Sequence, residues 1–122
     1  MSVTFTRAVG SRGGIVARAT ATGAAALSER MEVGEPTKIV WVGVHFNAAP
    51  TTSENLVIRH DANAGTAYDV TLLTIDPADA GATDIAWEPD EPLYLSPGDA
   101  LGVTFTNTDT KTWALSIVGE VA

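Results

Sequence analysis

Apolar and polar residues alternate along most of this chain with a period of two, which is typical of half-buried β-strands. The longest such run is TKIVWVGVHF at positions 37–46. One of its faces carries Val40, Val42, Val44 and Phe46, and the other carries Ile39, Trp41, Gly43 and His45. β-Branched and aromatic residues suit a pleated, packed surface, so this run is predicted to be the strongest strand of the fold.

A second region, PLYLSPGDALGVTFTN at 92–107, indicates two strands around the polar turn SPGD. Alternation continues on both sides of the turn, so each strand offers one apolar face that must be covered. We expect the face that runs from Val40 to Phe46 to pack against the face formed by Leu101, Val103 and Phe105.

Similar short runs recur at 2–7, 15–22, 55–60, 67–76, 85–87 and 112–121. The segment 23–33 begins with helix formers but keeps period two from Leu27 to Val33, and we assign a strand there from about Ser28. This gives about eight to ten short strands with a turn signal about every 8–12 residues, and no long helix. The predicted fold class is all-β: an antiparallel β-sandwich, jelly-roll-like because the connections at 47–54 and 77–84 are long.

The start of the chain differs from the rest in charge. Residues 1–28 carry three arginines and no acid, whereas residues 29–122 carry four basic residues and fifteen acids, so the two segments sum to +3 and −11. One interpretation is an ordinary first strand with solvated arginines. The other is an arm that docks on an acidic neighbour, including another copy of the chain. The sequence is therefore divided into an N-terminal arm with the first strands at 1–27 and a sandwich body at 28–122.

Composition narrows the possible classes of protein. The chain has 122 residues, which suits one domain, and no cysteine, which excludes disulfides and thiolate metal sites. A net charge of −8 disfavours binding to nucleic acid. The opening MSVTFTRAVG lacks the apolar run of a signal peptide, and no stretch approaches the roughly 20 apolar residues of a membrane helix. We expect a soluble protein made in a cytoplasm, with neither nucleic acid nor membrane as a partner.

Residues that could bind a metal are few. His45 and His60 are the only histidines, and two lone imidazoles do not supply the three or four converging ligands of a zinc site. Asp76, Asp79 and Asp84 fall in one segment that could offer oxygens to calcium, but their spacing matches no EF-hand. The alternative interpretation is a loop whose acids are solvated, and it is the one we favour. We therefore predict no metal and no cofactor.

Catalytic patterns are equally weak. Glu88 and Asp90 beside Trp87 resemble a glycosidase pair, yet such enzymes need carboxylates across a cleft, and Pro89 and Pro92 make this connection rigid. Neither a nucleophile elbow nor a phosphate-binding loop is present. We expect no enzymatic activity.

The aromatic residues leave a binding function open. Three tryptophans and two tyrosines could form a carbohydrate-stacking face: Trp41, Trp87, Trp113, Tyr68 and Tyr94. Trp113 alternates with Leu115 and Ile117, which indicates a core position. Trp41 shares a face with Ile39 in the alternation, which indicates a second packed face or an interface.

Four tracts resemble small virion proteins of tailed bacteriophages: AAPTTSENLVI, AYDVTLLTID, DIAWEPDEPLYLSPGDAL and FTNTDTKTWALSI. The resemblance covers roughly two-thirds of the chain, from position 42 to position 121. Such proteins are typically β-sandwiches that sit on the assembled head as cement or decoration subunits, and others serve at the neck, tail or fibres. The first 35 residues match nothing in this group.

The resemblance implies a capsid cement or decoration protein on the outer surface of the head, with the major capsid protein as partner and a homotrimer as its assembly. A carbohydrate-binding or fibre- or neck-associated module of a phage particle is the alternative. Because apolar anchors and arginines dominate many interfaces, we expect the partner-binding residues in the N-terminal arm at 1–27, which we call the leader: Val3, Phe5, Arg7, Arg12 and Arg18.

Overall fold

The computed structural model describes residues 2–9 and 15–121, with side chains given for 19–121. Ten strands follow one another along the chain: β1 (Ser2–Val9), β2 (Ile15–Gly23), β3 (Leu27–Glu32), β4 (Thr37–Phe46), β5 (Leu56–Asp61), β6 (Val70–Ile75), β7 (Asp84–Trp87), β8 (Leu93–Leu95), β9 (Ala100–Phe105) and β10 (Trp113–Val121). A 3₁₀ turn (Thr66–Tyr68) and a four-residue helix α1 (Pro77–Ala80) interrupt the loops. Among the described residues, no helix has the length and apolar character needed to cross a membrane.

The strands form two antiparallel sheets, which confirms the predicted all-β sandwich. The first has the order β1-β2-β10-β4-β7, and β8 pairs with β4 beyond the end of β7. The second has the order β3-β9-β5-β6. The chain passes between the sheets after β2, β3, β4, β6, β8 and β9. The jelly-roll arrangement of these strands stays a prediction.

The core lies between the two sheets and is filled from the alternating positions. Phe46 on β4 and Phe105 on β9 meet with ring centroids 5.4 Å apart and planes tilted by 58°. Val42 and Val44 on one side, and Leu101 and Val103 on the other, are buried. The predicted contact between these two faces is therefore confirmed from Val42 onward. Tilted aromatic pairs at this separation add to the stabilisation that burial alone provides.

The prediction for Val40 is wrong, because a β-bulge breaks the alternation of β4. In the pairing with β10, Val118 lies opposite Trp41 and Gly119 lies opposite Ile39, so Val40 is the extra residue. Val40 is 37% exposed, whereas Ile39 is buried in the core. Ile39 and Trp41 consequently point to opposite faces, and the inference that they share one face is also wrong.

The turn at 96–99 owes its shape to Gly98 and Asp99. Gly98 has φ +91°, in the left-handed region that suits glycine. The Asp99 carboxylate accepts hydrogen bonds from the backbone N–H of Asn63 (2.9 Å) and of Ser96 (3.1 Å) and from His60 Nε2 (3.0 Å). These bonds, the one from Asn63 first, hold the pKa of Asp99 below its usual value. The predicted polar turn is thus a junction between two loops.

Candidate functional site

The leader residues expected to bind a partner lie mostly outside the description of side chains. Arg12 lies outside the described residues. Val3, Phe5 and Arg7 belong to β1, and Arg18 belongs to β2, where the backbone alone is described. The register pairs Val3 with Ala21 and Phe5 with Ala19. Their partner-binding role stays a prediction.

The two histidines pair with different carboxylates on different sheets. His45 Nδ1 donates to Asp84 Oδ1 at 2.7 Å, and His60 Nε2 donates to Asp99 Oδ2 at 3.0 Å. The His60 pair is largely buried, with side chains 21% and 14% exposed, whereas the His45 pair is open to solvent at 57% and 72%. The hydrogen bond from His45 is the main cause that lowers the pKa of Asp84.

The three aspartates considered for calcium do not converge. Asp76 is the N-cap of α1, where Oδ1 accepts from the N–H of Ala78 and of Asp79. Its other oxygen accepts from the Ser53 hydroxyl, which is the main cause that lowers the pKa of Asp76. Asp84 binds His45 instead. Within residues 19–121 no three potential ligands group together as a metal site.

Two acids tie the loop at 47–55 to the loop at 106–112. Asp109 accepts from the N–H groups of Thr51 (2.8 Å) and Thr52 (2.7 Å) and from the Thr52 hydroxyl (2.7 Å). In return, Glu54 accepts from the N–H and the hydroxyl of Thr108, at 2.9 and 2.6 Å. These bonds cross between the two loops in both directions. The loop at 47–55 is therefore fastened to the loop at 106–112 by five hydrogen bonds.

The outer face of the six-stranded sheet carries an aromatic ring beside a shallow trough. A β-carbon built on Gly43 would lie within 3.0 Å of three carbons of the six-membered ring of Trp41. The ring therefore lies over the backbone of Gly43, in space that any side chain there would fill. Trp41 remains partly exposed, while Gly43 is buried beneath it. An indole that lies along a sheet in this way presents its free side to solvent.

Small residues form the floor of the trough next to this ring. Ser116 and Ala86 lie on either side of Gly43 in the register of β10, β4 and β7. The next row across the sheet places Ala114 beside His45, with Asp84 on the far side. The trough has a volume of about 220 Å³, and the His45–Asp84 pair lies on its wall.

The remaining aromatics do not extend this platform. Trp113 is buried, with 1% exposure, as its alternation with Leu115 and Ile117 predicted. Trp87 packs against the core, and Tyr68 and Tyr94 are exposed. The proposed five-residue stacking face therefore reduces, among the described side chains, to Trp41 on the outer face of the sheet. The sequence did contain a signal for it, because a tryptophan followed two positions later by glycine has room to lie along its own strand.

Another part of the surface, a groove beside β7 and β8, is acidic. The connection between β7 and β8 forms a groove with neighbouring parts of β4 and β10. Its charged residues are Glu88, Asp90, Glu91, Glu120 and Lys38. The carboxylates of Glu88 and Asp90 thus line an open groove that also contains a lysine.

No protein-family model matches the chain, and a search of curated proteins finds no match.

Proposed function

We propose that this protein is a virion structural protein of a tailed bacteriophage and that it decorates the outer surface of the head, where it stabilises contacts between major capsid subunits. The observation that carries the proposal is the position of the basic leader at the edge of the larger sheet. β1 pairs with β2 along its whole length, and no other strand in the described part of the chain pairs with its outer side.

An edge strand is an adhesive element when many copies meet a regular lattice. Its outer backbone N–H and C=O groups can add to a neighbouring sheet, and side chains beside it set the choice of partner. Of the arginines expected to bind, Arg7 lies on this edge strand and Arg18 lies on its neighbour β2. Each contact can be weak, because copies on a fixed lattice gain avidity through effective concentration.

Charge complementarity supports assembly of the protein with itself. The leader sums to +3, and the groove between β7 and β8 carries four acids and one lysine. Arginine can bind such carboxylates through two parallel hydrogen bonds. We propose a homotrimer in which the leader of one copy reaches the acidic groove of the next.

The loop geometry supports a structural role over a catalytic one. Asp76, Asp99 and Asp109 each accept hydrogen bonds from backbone N–H groups, and these bonds hold the loops in place. A decoration subunit needs a rigid scaffold and adhesive surfaces, and both are available without chemistry at a site.

The decisive experiment is cryo-electron microscopy of heads from the phage that encodes this chain and from its deletion strain. We expect symmetric density on the outer surface of the head that disappears on deletion and returns when the purified protein is added. Identical heads in the two strains, or density at the neck or fibres instead, would refute the proposal.

Charge reversal then tests the leader. The triple variant Arg7→Glu, Arg12→Glu, Arg18→Glu should fail to restore the density, because like charges would face the acidic partner. The control reverses the same number of charges elsewhere in the chain: Arg30→Glu, Arg59→Glu and Lys111→Glu. If both variants occupy the heads equally, the leader is not part of the surface that binds the head.

A further inference from the structure

The trough on the outer face of the six-stranded sheet combines an aromatic platform with hydrogen-bonding groups at its wall. Two other aromatic side chains, Tyr68 and Tyr94, are exposed elsewhere on the described surface. The Trp41 ring lies over Gly43, and Trp41 is partly exposed to solvent. A ring so placed offers an apolar, polarisable plane of fixed orientation.

The polar groups on the wall of the trough, His45 and Asp84, are held in place by the hydrogen bond between them. A carboxylate can only accept, so the 2.7 Å contact between His45 Nδ1 and Asp84 Oδ1 requires the proton on Nδ1. In the neutral ring this leaves His45 Nε2 as an acceptor. Asp84 Oδ2 accepts from the Thr83 hydroxyl at 3.2 Å and retains further lone pairs. The wall therefore presents acceptors that suit the hydroxyl groups of a ligand.

Size and charge restrict that ligand. At about 220 Å³ the trough lies below the roughly 300–1,000 Å³ of sites for drug-sized molecules, so it suits a single ring. Asp84 and the net charge of −8 disfavour an anionic ligand. The small residues Ala86, Ala114 and Ser116 leave room for a flat molecule beside the indole.

We propose that this trough binds a neutral hexopyranose, whose C–H face stacks on Trp41 and whose hydroxyls donate to Asp84 and His45. Such a sugar combines an apolar face with a rim of donors, which is the combination that the trough complements. The site goes beyond attachment to the head, since it lies on the outer face of the sheet and uses none of the leader residues. A head-bound subunit with this site would also hold saccharides at a cell surface.

The test is a titration of the ¹⁵N-labelled protein, followed by NMR, with methyl β-galactopyranoside, methyl β-glucopyranoside and methyl α-mannopyranoside up to about 20 mM, where even weak binding near 1 mM is visible. The indole N–H of Trp41 should shift in a saturable way with at least one of them. Methyl β-glucuronide, which is anionic, should bind at least about fivefold more weakly than the best neutral sugar.

Variants locate the site. Trp41→Leu removes the ring, and Asp84→Asn replaces an acceptor while it keeps the shape of the side chain; each should weaken binding about tenfold or more. Tyr68→Ala, which removes an exposed aromatic elsewhere, should leave binding unchanged. Melting temperatures of all three identify any loss that comes from unfolding, and Asp84→Asn decides the matter if Trp41→Leu does not fold.

Three results would overturn the proposal. The first is the absence of a shift at Trp41 with every neutral glycoside. The second is unchanged affinity in Asp84→Asn. The third is a change in oligomeric mass in Trp41→Leu without sugar binding by the parent protein, which would make the trough a contact between copies. None of these outcomes bears on decoration of the head, because decoration is tested by density on heads with and without the protein.

Discussion

A single polar side chain fixes the place where two loops of the sandwich meet. Asn107 is 3% exposed and has φ +58°, a conformation that asparagine tolerates. Its Nδ2 donates to the carbonyls of Ala24, Ala25 and Lys111, and its Oδ1 accepts from the N–H of Lys111. Trp113 Nε1 also donates to the Ala25 carbonyl, at 2.9 Å. One buried amide therefore replaces the regular pairing that these backbone groups lack.

Asp109 likewise links two loops, at the surface, and its hydrogen bonds make the stability of the fold depend on pH. The backbone N–H of Thr52, its hydroxyl and the N–H of Thr51 together lower the pKa of Asp109 to about 2. A carboxylate whose pKa is depressed by folding stabilises the fold above its unfolded pKa, and this contribution is lost as the pH falls through the folded value. We expect the melting temperature of the parent protein to fall between about pH 4 and pH 2. In Asp109→Asn the melting temperature should be lower at pH 7 and should fall less across that window.

Glu32→Gln provides the control, since Glu32 is exposed at the end of β3 and lies outside the acidic groove. This variant should follow the parent curve at every pH. If Asp109→Asn also keeps the parent's slope between pH 4 and pH 2, the hydrogen bonds of Asp109 do not couple protonation to folding.

For single residues, the sequence predicted positions in the core better than it predicted the hydrogen bonds that join loops. Trp113, Leu115 and Ile117 could be assigned to the core because alternation is a local pattern. The bonds of Asp109 join residues 57 and 58 positions apart, and those of Glu54 span 54, so no local pattern reports them. The same holds for the pairing of His45 with Asp84, which lie 39 positions apart.

At the scale of elements, the bulge in β4 decides which residues face the core. Period two predicted every strand of the body, although not the exact ends, and it placed Val40 wrongly. The position of the bulge is set by the pairing with β10, where Gly119 lies opposite Ile39. A β-carbon on Gly119 would lie 2.9 Å from Thr37 Cγ2 and 3.0 Å from the Lys38 carbonyl oxygen. The close approach of the two backbones thus requires glycine, a condition that appears only once the pairing is known.

Gly119→Ala tests this packing. The added methyl group must displace backbone, so we expect the free energy of unfolding to fall by about 1–3 kcal/mol in urea titrations. The matched control is Gly102→Ala on β9, where the nearest atom to a new β-carbon is the Glu29 carbonyl oxygen at 4.0 Å. That variant should be neutral or slightly more stable, because alanine costs less entropy to order than glycine. Equal stability of the two variants would show that β4 and β10 accommodate the methyl group without strain.

At the scale of the whole molecule, composition and alternation were sufficient for the fold class but not for the order of strands. The pairing of β2 with β10, and of β4 with β10, joins segments from opposite ends of the chain. Such pairing depends on the closure of the whole sandwich, and several orders satisfy the same alternation. The surfaces that matter for function follow from that order, because it brings Trp41, Ser116 and Ala86 together and leaves β1 at an edge.

The proposed trimer yields a prediction about salt. If arginines of one leader bind the acidic groove of the next copy, association must weaken as ions screen these charges, since the Debye length falls from about 10 Å at 0.1 M to about 3 Å at 1 M. Light scattering coupled to size exclusion should give about 38 kDa at low salt, three times the chain mass of 12.7 kDa, and a mass nearer to one chain at 1 M NaCl. The leader variant with three glutamates should be monomeric at both salt concentrations. A trimer that persists at 1 M would place the contact on apolar surface, and a monomer under every condition would mean that copies meet only on the head.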